Sequence, residues 1–208
     1  MSTEHAIEPS TPSKPHIGIV ISTTRPGRFG DIPTQWIFDI ARKRDDAQFE
    51  IVDLRDYPIP FFEEKSSPAH IPIENAVAKR WAERMASFDG YIFVTAEYNH
   101  GPPAVLKNAL DHLGLEASRK PATFVGYGGV GGARAVEHLR HVLAEMHVAS
   151  LKHTIHICAM EMLGILREGK SMADFPFLNQ GTKPMLDDLV WWANTLKAGR
   201  EAPESARP

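Results

Sequence analysis

The amino-acid sequence predicts an α/β protein, a five-stranded parallel sheet with helices on both faces. Three observations carry that reading. Short β-rich runs alternate with helical patterns five times along the 208 residues, as repeated strand–helix–strand units require. The runs IGIVI (residues 17–21) and YIFVT (residues 91–95) are continuously apolar, as strands covered on both faces must be. Three of the runs empty into polar or glycine-rich loops, and open α/β sheets bind ligands at that carboxyl end.

Residues 1–15 are rich in Ser, Thr and Pro without periodicity and read as a mobile tail. One domain is expected over residues 16–198, since 43% hydrophobic content in a chain of this length fills one sizeable core. A loose tail is expected over 199–208. The first strand, 17–21, leads through Ser22-Thr23-Thr24-Arg25-Pro26-Gly27-Arg28-Phe29-Gly30 into a helix whose apolar face is Trp36, Ile37, Ile40 and Ala41. QFEIVDL (48–54) alternates as a second strand near an edge. Residues 55–72 form a long loop with Tyr57, Ile59, Phe61 and Phe62, too apolar to stand in water alone. A helix over 73–88 presents Val77, Trp81, Met85 and Phe88 at spacings of three and four. Strand three, 91–95, passes through Ala96-Glu97-Tyr98-Asn99-His100-Gly101 into a helix over 104–113, whose first turn suits Pro102 and Pro103. Strand four, 121–125, ends in Gly126-Tyr127-Gly128-Gly129-Val130-Gly131-Gly132, followed by a helix over 133–147. Strand five spans 151–159, then comes a variable stretch with Met160, Met162 and Leu163, and a last helix over 184–197.

Composition excludes several classes. A net charge of −3 gives no basis for nucleic acid binding or a polybasic membrane anchor. No apolar run approaches the roughly 20 residues that span a bilayer, so a cytoplasmic protein is expected. The single cysteine, Cys158, rules out an internal disulfide and sits in an apolar setting that favours a buried thiol. His138, His141 and Glu145 share a helix face, but such sets are mostly solvated, and His153 and His156 point to opposite faces of a strand; no metal site is expected.

The first loop has the layout of a phosphate cradle. A helix amino terminus supplies unpaired N–H groups and the positive end of its dipole. Ser22, Thr23 and Thr24 add hydroxyls, and Arg25 and Arg28 can add charge-assisted contacts. The loop is neither a Gly-Lys-Ser/Thr phosphate loop nor a G-x-G-x-x-G fingerprint. The glycines of the third loop let a planar ring approach the backbone.

Glu97-Tyr98-Asn99-His100-Gly101 followed by Leu106-Lys107-Asn108-Ala109-Leu110-Asp111 resembles the signature of the NAD(P)H-dependent FMN reductase family. The STTRPGR loop, with Ser22 where Gly is usual, and the glycine-rich loop resemble that family's other two flavin loops. The resemblance covers nearly all of residues 17–196. It implies a flavodoxin-like sheet in the order 2-1-3-4-5 and an FMN cofactor reduced by NADPH or NADH. It further implies a small-molecule acceptor (a quinone, azo compound, metal oxyanion or free flavin) and a homodimer or homotetramer. Carried onto this chain, the cofactor contacts are Ser22, Thr23, Arg25, Arg28, Phe29, Gly30, Glu97, Tyr98, Asn99, His100, Tyr127, Gly128 and Gly129. No side chain is assigned a catalytic role, because the flavin carries the chemistry. Backbone N–H groups around residues 97–99 are expected to stabilise the reduced ring. Two other readings stand beside this one: a flavodoxin-like electron carrier, and a redox-sensing protein that binds FMN without NAD(P)H turnover. Carriers are usually strongly acidic, and −3 is weak for that role.

Overall fold

The computed structural model describes residues 13–202, so the expected tail over 1–15 falls almost wholly outside it, as do residues 203–208. The elements run β1 (His16–Ile21), α1 (Asp31–Ala41), β2 (Gln48–Asp53), α2 (Ala76–Ala86), β3 (Gly90–Ala96), α3 (Ala104–Asp111), β4 (Pro121–Tyr127), α4 (Ala133–Glu145), β5 (Ala149–Ile157), α5 (Ala159–Arg167) and α6 (Pro176–Glu201). The strands pair in parallel in the order β2-β1-β3-β4-β5, the flavodoxin-like order. Because side chains alternate along a strand, each central strand feeds two cores. Ile17, Ile19, Ile92, Val94, Val125 and Tyr127 face Ile37 of α1 and Leu186, Leu189 and Val190 of α6. Val20, Phe93 and Phe124 face Trp81, Leu106 and Leu139 of α2, α3 and α4. Both faces of β3 and β4 are buried throughout, which is why their sequences lack polar alternation. No helix among the described residues is long and apolar enough to cross a membrane.

Several boundaries differ from expectation, each for a local reason. The second helix starts at Ala76 rather than 73, because the Asn75 side chain accepts from the Val77 and Ala78 N–H groups and so fixes the amino cap. Phe88 lies beyond its end, packed so closely on β1 that a Cβ at Gly18 would come within 2.8 Å of the ring. The last helix starts eight residues early, with Pro176 in its first turn, and carries Pro184 inside it. Thr182 Oγ1 donates to the Asn179 carbonyl in the turn ahead of that proline. The helix also runs three residues into the expected loose tail, to Glu201: Lys197 and Arg200 both bind Asp89, whose carboxylate accepts the His16 N–H at the start of β1. Residues 159–167, the end of the expected fifth strand and the variable stretch after it, form a helix, α5, of which only Gly164 is buried.

Candidate functional site

The loops after β1, β3 and β4 meet at the carboxyl edge, around the switch point between β1 and β3. In the first loop, Arg25 to Arg28 form a tight turn closed by Arg28 N–H donating to the Arg25 carbonyl (3.2 Å), with Pro26 at its second position and Gly27 at φ +63°. That is the pattern of a type II turn, and it leaves the Arg25 guanidinium exposed and without a partner among the described residues. Thr23 is buried; its hydroxyl meets the Tyr98 hydroxyl at 3.1 Å and accepts the Arg25 N–H, tying the first loop to the second. Ser22 is buried too, its hydroxyl turned back to the Val20 carbonyl (3.4 Å), and its φ is not positive, so the side chain in place of Gly costs no backbone strain.

Arg28 departs from expectation. All five of its N–H donors are taken: by Asp31, by both oxygens of Asp53 and by the Thr23 carbonyl. Burial works against the Arg28 charge, yet the hydrogen bonds it donates to Asp53 and Asp31 raise its pKa above the ordinary value. Burial would likewise raise the Asp53 carboxyl, but Arg28 and Arg55 hold it well below the usual carboxylate range. With no donor left for a phosphate, Arg28 braces the loop against the end of β2 instead of gripping a ligand.

The second loop is a two-residue hairpin. Tyr98 and Gly101 exchange both backbone hydrogen bonds, at 2.9 and 3.0 Å, with Asn99 at φ 49° and His100 at φ 70° between them. Two left-handed central residues make a type I′ turn, a backbone that Asn and His adopt more readily than most non-glycine residues. The Glu97 N–H donates to the Tyr127 carbonyl (3.0 Å), so the N–H groups of Glu97 and Tyr98 are already committed to protein and are not free to stabilise a reduced ring. Ala96 is held by its pairing with Tyr127. Glu97 is also redirected. Its side chain, 4% exposed, accepts the Arg134 N–H (3.1 Å) and Nε–H (2.6 Å) at the amino end of α4. Burial would raise that carboxyl, and the bonds from Arg134 lower it instead. His100 Nε2 lies 2.8 Å from Arg134 Nη1, so one arginine clasps the loop at two points.

In the third loop Gly132 caps α4 in the left-handed region, where a Cβ would meet the Tyr127 backbone nitrogen at 2.7 Å. The Tyr127 ring packs on Phe29 (5.3 Å between centroids). Its hydroxyl is buried without a hydrogen-bond partner, although the Gly30 amide lies near it, and burial raises its pKa. A buried orphan hydroxyl normally finds a partner, which here points to a ligand group.

These loops enclose a crevice of about 360 Å³. Of the expected contacts, Arg25, Arg28, Phe29, Glu97, Tyr98, Tyr127 and Gly128 border it, whereas Ser22, Thr23, Gly30, Asn99, His100 and Gly129 do not. Sequence reasoning missed Met162 and Leu166, which close one side from α5. The spacing of Met162, Leu163 and Leu166 was the available signal, and it suits one helix face. It also missed Arg134, two residues after the glycine pair and without periodicity to mark it. The donor set suits FMN: an unpaired exposed guanidinium for a phosphate, an orphan hydroxyl on the wall, and the side-chain-free backbone of Gly128 beside which a flat ring can lie.

Comparison with known proteins bears on the same loops. The family profile described as NADPH-dependent FMN reductase matches residues 15–159. The chain is similar to an NAD(P)H-dependent FMN reductase of Schizosaccharomyces pombe, 36% identical over 130 residues, covering 62% of this chain and 65% of that one, just under two thirds of its length. It is similar to an NAD(P)H-dependent FMN reductase of Nectria sp, 36% identical over 145 residues, covering 65% and 72% respectively. Among solved structures it resembles the flavoenzyme NAD(P)H:(acceptor) oxidoreductase of Paracoccus denitrificans, with a TM-score of 0.65 at 17% identity, over 87% of this chain and 98% of that one. That likeness supports the fold.

Proposed function

Because the chain belongs to the NADPH-dependent FMN reductase family, we propose that it is an FMN-dependent NAD(P)H oxidoreductase that reduces a small molecule. The observation that carries this reading is the crevice at the switch point, which presents one unpaired cation, Arg25, and one orphaned buried hydroxyl, Tyr127, across a glycine wall. Bound FMN would supply the redox chemistry, accepting a hydride from reduced nicotinamide and passing electrons to a quinone, azo compound, metal oxyanion or free flavin. The residues of the chain bind and orient. Arg25 neutralises the phosphate at the mouth of the first loop. Tyr127 donates its hydroxyl proton to a ligand acceptor within the crevice, since its raised pKa keeps that proton in place. Gly128 leaves room for a ring, and Met162 and Leu166 exclude water from one side. No side chain is needed as a general base.

Phe61 and Leu115 are 78% and 71% exposed, and this supports a homodimer or homotetramer built over that apolar surface. A cytoplasmic location is part of the same proposal. The experiment is a visible spectrum of the purified protein, followed by NADPH and then NADH without oxygen. A flavin spectrum that bleaches with either nucleotide is expected, and oxidants added in turn identify the acceptor. A flavin spectrum that no nucleotide bleaches would favour the electron carrier, and absence of FMN binding would overturn the reading.

A further inference from the structure

A second cavity, of about 270 Å³, lies across the first loop from the flavin crevice. Arg25 and Gly27 face the crevice, whereas Thr24 faces this cavity, on the side of the sheet covered by α2 and α3. Its floor is apolar, made by the buried Leu54 and Ala109. Its walls are Tyr57, Ile59 and Val105, and it opens to solvent beside the exposed Pro58.

The walls are built to hold their shape. The Tyr57 ring packs edge-on against Trp81 (5.3 Å), whose indole N–H is fixed on the Ala109 carbonyl at 2.8 Å. Asn108 staples the long loop to α3: its amide donates to the Ile59 and Pro60 carbonyls, and its carbonyl accepts the Phe62 N–H (3.0 Å). Arg55 is held in place by Asp53, which takes its Nε and Nη2 donors, and Asp53 is itself anchored by the buried Arg28. That leaves Arg55 Nη1 and the Thr24 hydroxyl without partners among the described residues, and both residues line the cavity together with Asn108, whose amide is already satisfied by the long loop. On the Tyr57 wall, the Arg80 guanidinium lies 6.0 Å from the ring centroid.

We propose that this cavity is a second small-molecule site, distinct from the flavin crevice, that takes a planar aromatic anion of one or two rings. Aromatic walls accept a flat apolar body, and a guanidinium beside a hydroxyl suits a carboxylate or phenolate oxygen at its edge. The volume falls below the roughly 300 Å³ at which sites for drug-sized ligands begin, which sets the size limit. Since Thr24 and Arg25 are neighbours in one loop, an occupant here touches the segment that presents Arg25 to the crevice.

The test is a titration of the isotope-labelled full chain, stripped of FMN, with 1-naphthoate and with the neutral 1-naphthamide, followed by amide NMR. We expect saturable shifts at Leu54, Tyr57, Ile59 and Val105, little change at Gly27, Tyr98 and Gly128, and binding of naphthoate at least tenfold tighter than naphthamide. Arg55→Gln should remove that tenfold preference. Val105→Trp, a change at an exposed position that fills the mouth, should abolish binding of both ligands and serves if Arg55→Gln fails to fold. Shifts centred on the crevice, equal affinity for the two ligands, or no saturable binding at millimolar concentration would each overturn the site. The titration does not use FMN, so it fails or succeeds separately from the flavin reading.

Discussion

Arg25 and Arg28 sit three positions apart in one loop and do different work. Arg28 is buried with every donor satisfied, and removing one partner of a buried ion pair strands the other. Arg28→Met should therefore destabilise the apoprotein by about 3–5 kcal/mol in urea unfolding. Arg25 is exposed and unpaired, so Arg25→Ala should leave that stability within about 0.5 kcal/mol. In an FMN titration the same change should weaken affinity by about 1.5–3 kcal/mol, the size of a hydrogen bond to a charged group. Equal effects of the two substitutions on unfolding would contradict this division of labour.

At the level of elements, the loop after β3 depends on α4 as much as on its own turn. Glu97 satisfies the amino end of that helix and is held by Arg134, which also meets His100. Glu97→Gln should cost about 1–3 kcal/mol of stability, since a charge-assisted pair is replaced by a neutral one. The pH dependence follows from the sign of the shift. A carboxyl held below its ordinary pKa contributes stability that is complete above the unfolded value of 4.5 and is lost as the pH falls through the lower folded value. Thermal melts of the two proteins should therefore converge in acid. The turn itself carries two left-handed non-glycine residues, and Asn99→Val places a β-branched side chain where it is most strained, at a cost of about 1–3 kcal/mol. A variant that melts like the parent would show that the left-handed backbone at this position carries no such strain for a β-branched residue.

For the whole molecule, the end of the sheet opposite the crevice sets a different pH response. Lys120 is buried at the start of β4, its Nζ donating to the Met85 and Ala86 carbonyls at 3.1 and 2.8 Å. Burial, aided by Arg200 and opposed by Asp89 and Glu116, pushes its pKa down from 10.5 to about 8. Between those values the unfolded chain binds the proton and the folded chain does not, so stability rises with pH across that window. Against a Lys120→Met variant, which lacks the titration, the parent should gain up to about 3 kcal/mol between pH 8 and 10, each tenfold change in proton affinity being worth about 1.4 kcal/mol. Flat difference curves would exclude a titrating Lys120. The assembly proposal belongs to the same scale: dilution to nanomolar concentration should reduce NAD(P)H turnover before it unfolds the chain. Light scattering that finds a fully active monomer would reject it.

The order of elements and the position of the site were legible in the sequence because both rest on local patterns. Short, β-rich apolar runs such as 91–95 suit strands covered on two faces, and glycine or Asn-rich loops at their ends mark turns that need left-handed backbone. Element ends were less legible where a single proline misled, as Pro184 did inside α6, or where a distant ion pair decided, as Asp89 did by holding Arg200. Side-chain roles were decided by tertiary structure alone. Arg28 and Glu97 carry the right chemistry to touch a phosphate or a flavin, but Asp53 and Arg134, distant in sequence, reach them first. A side chain's chemistry is local; whether its donors and acceptors remain free depends on what the fold brings beside it.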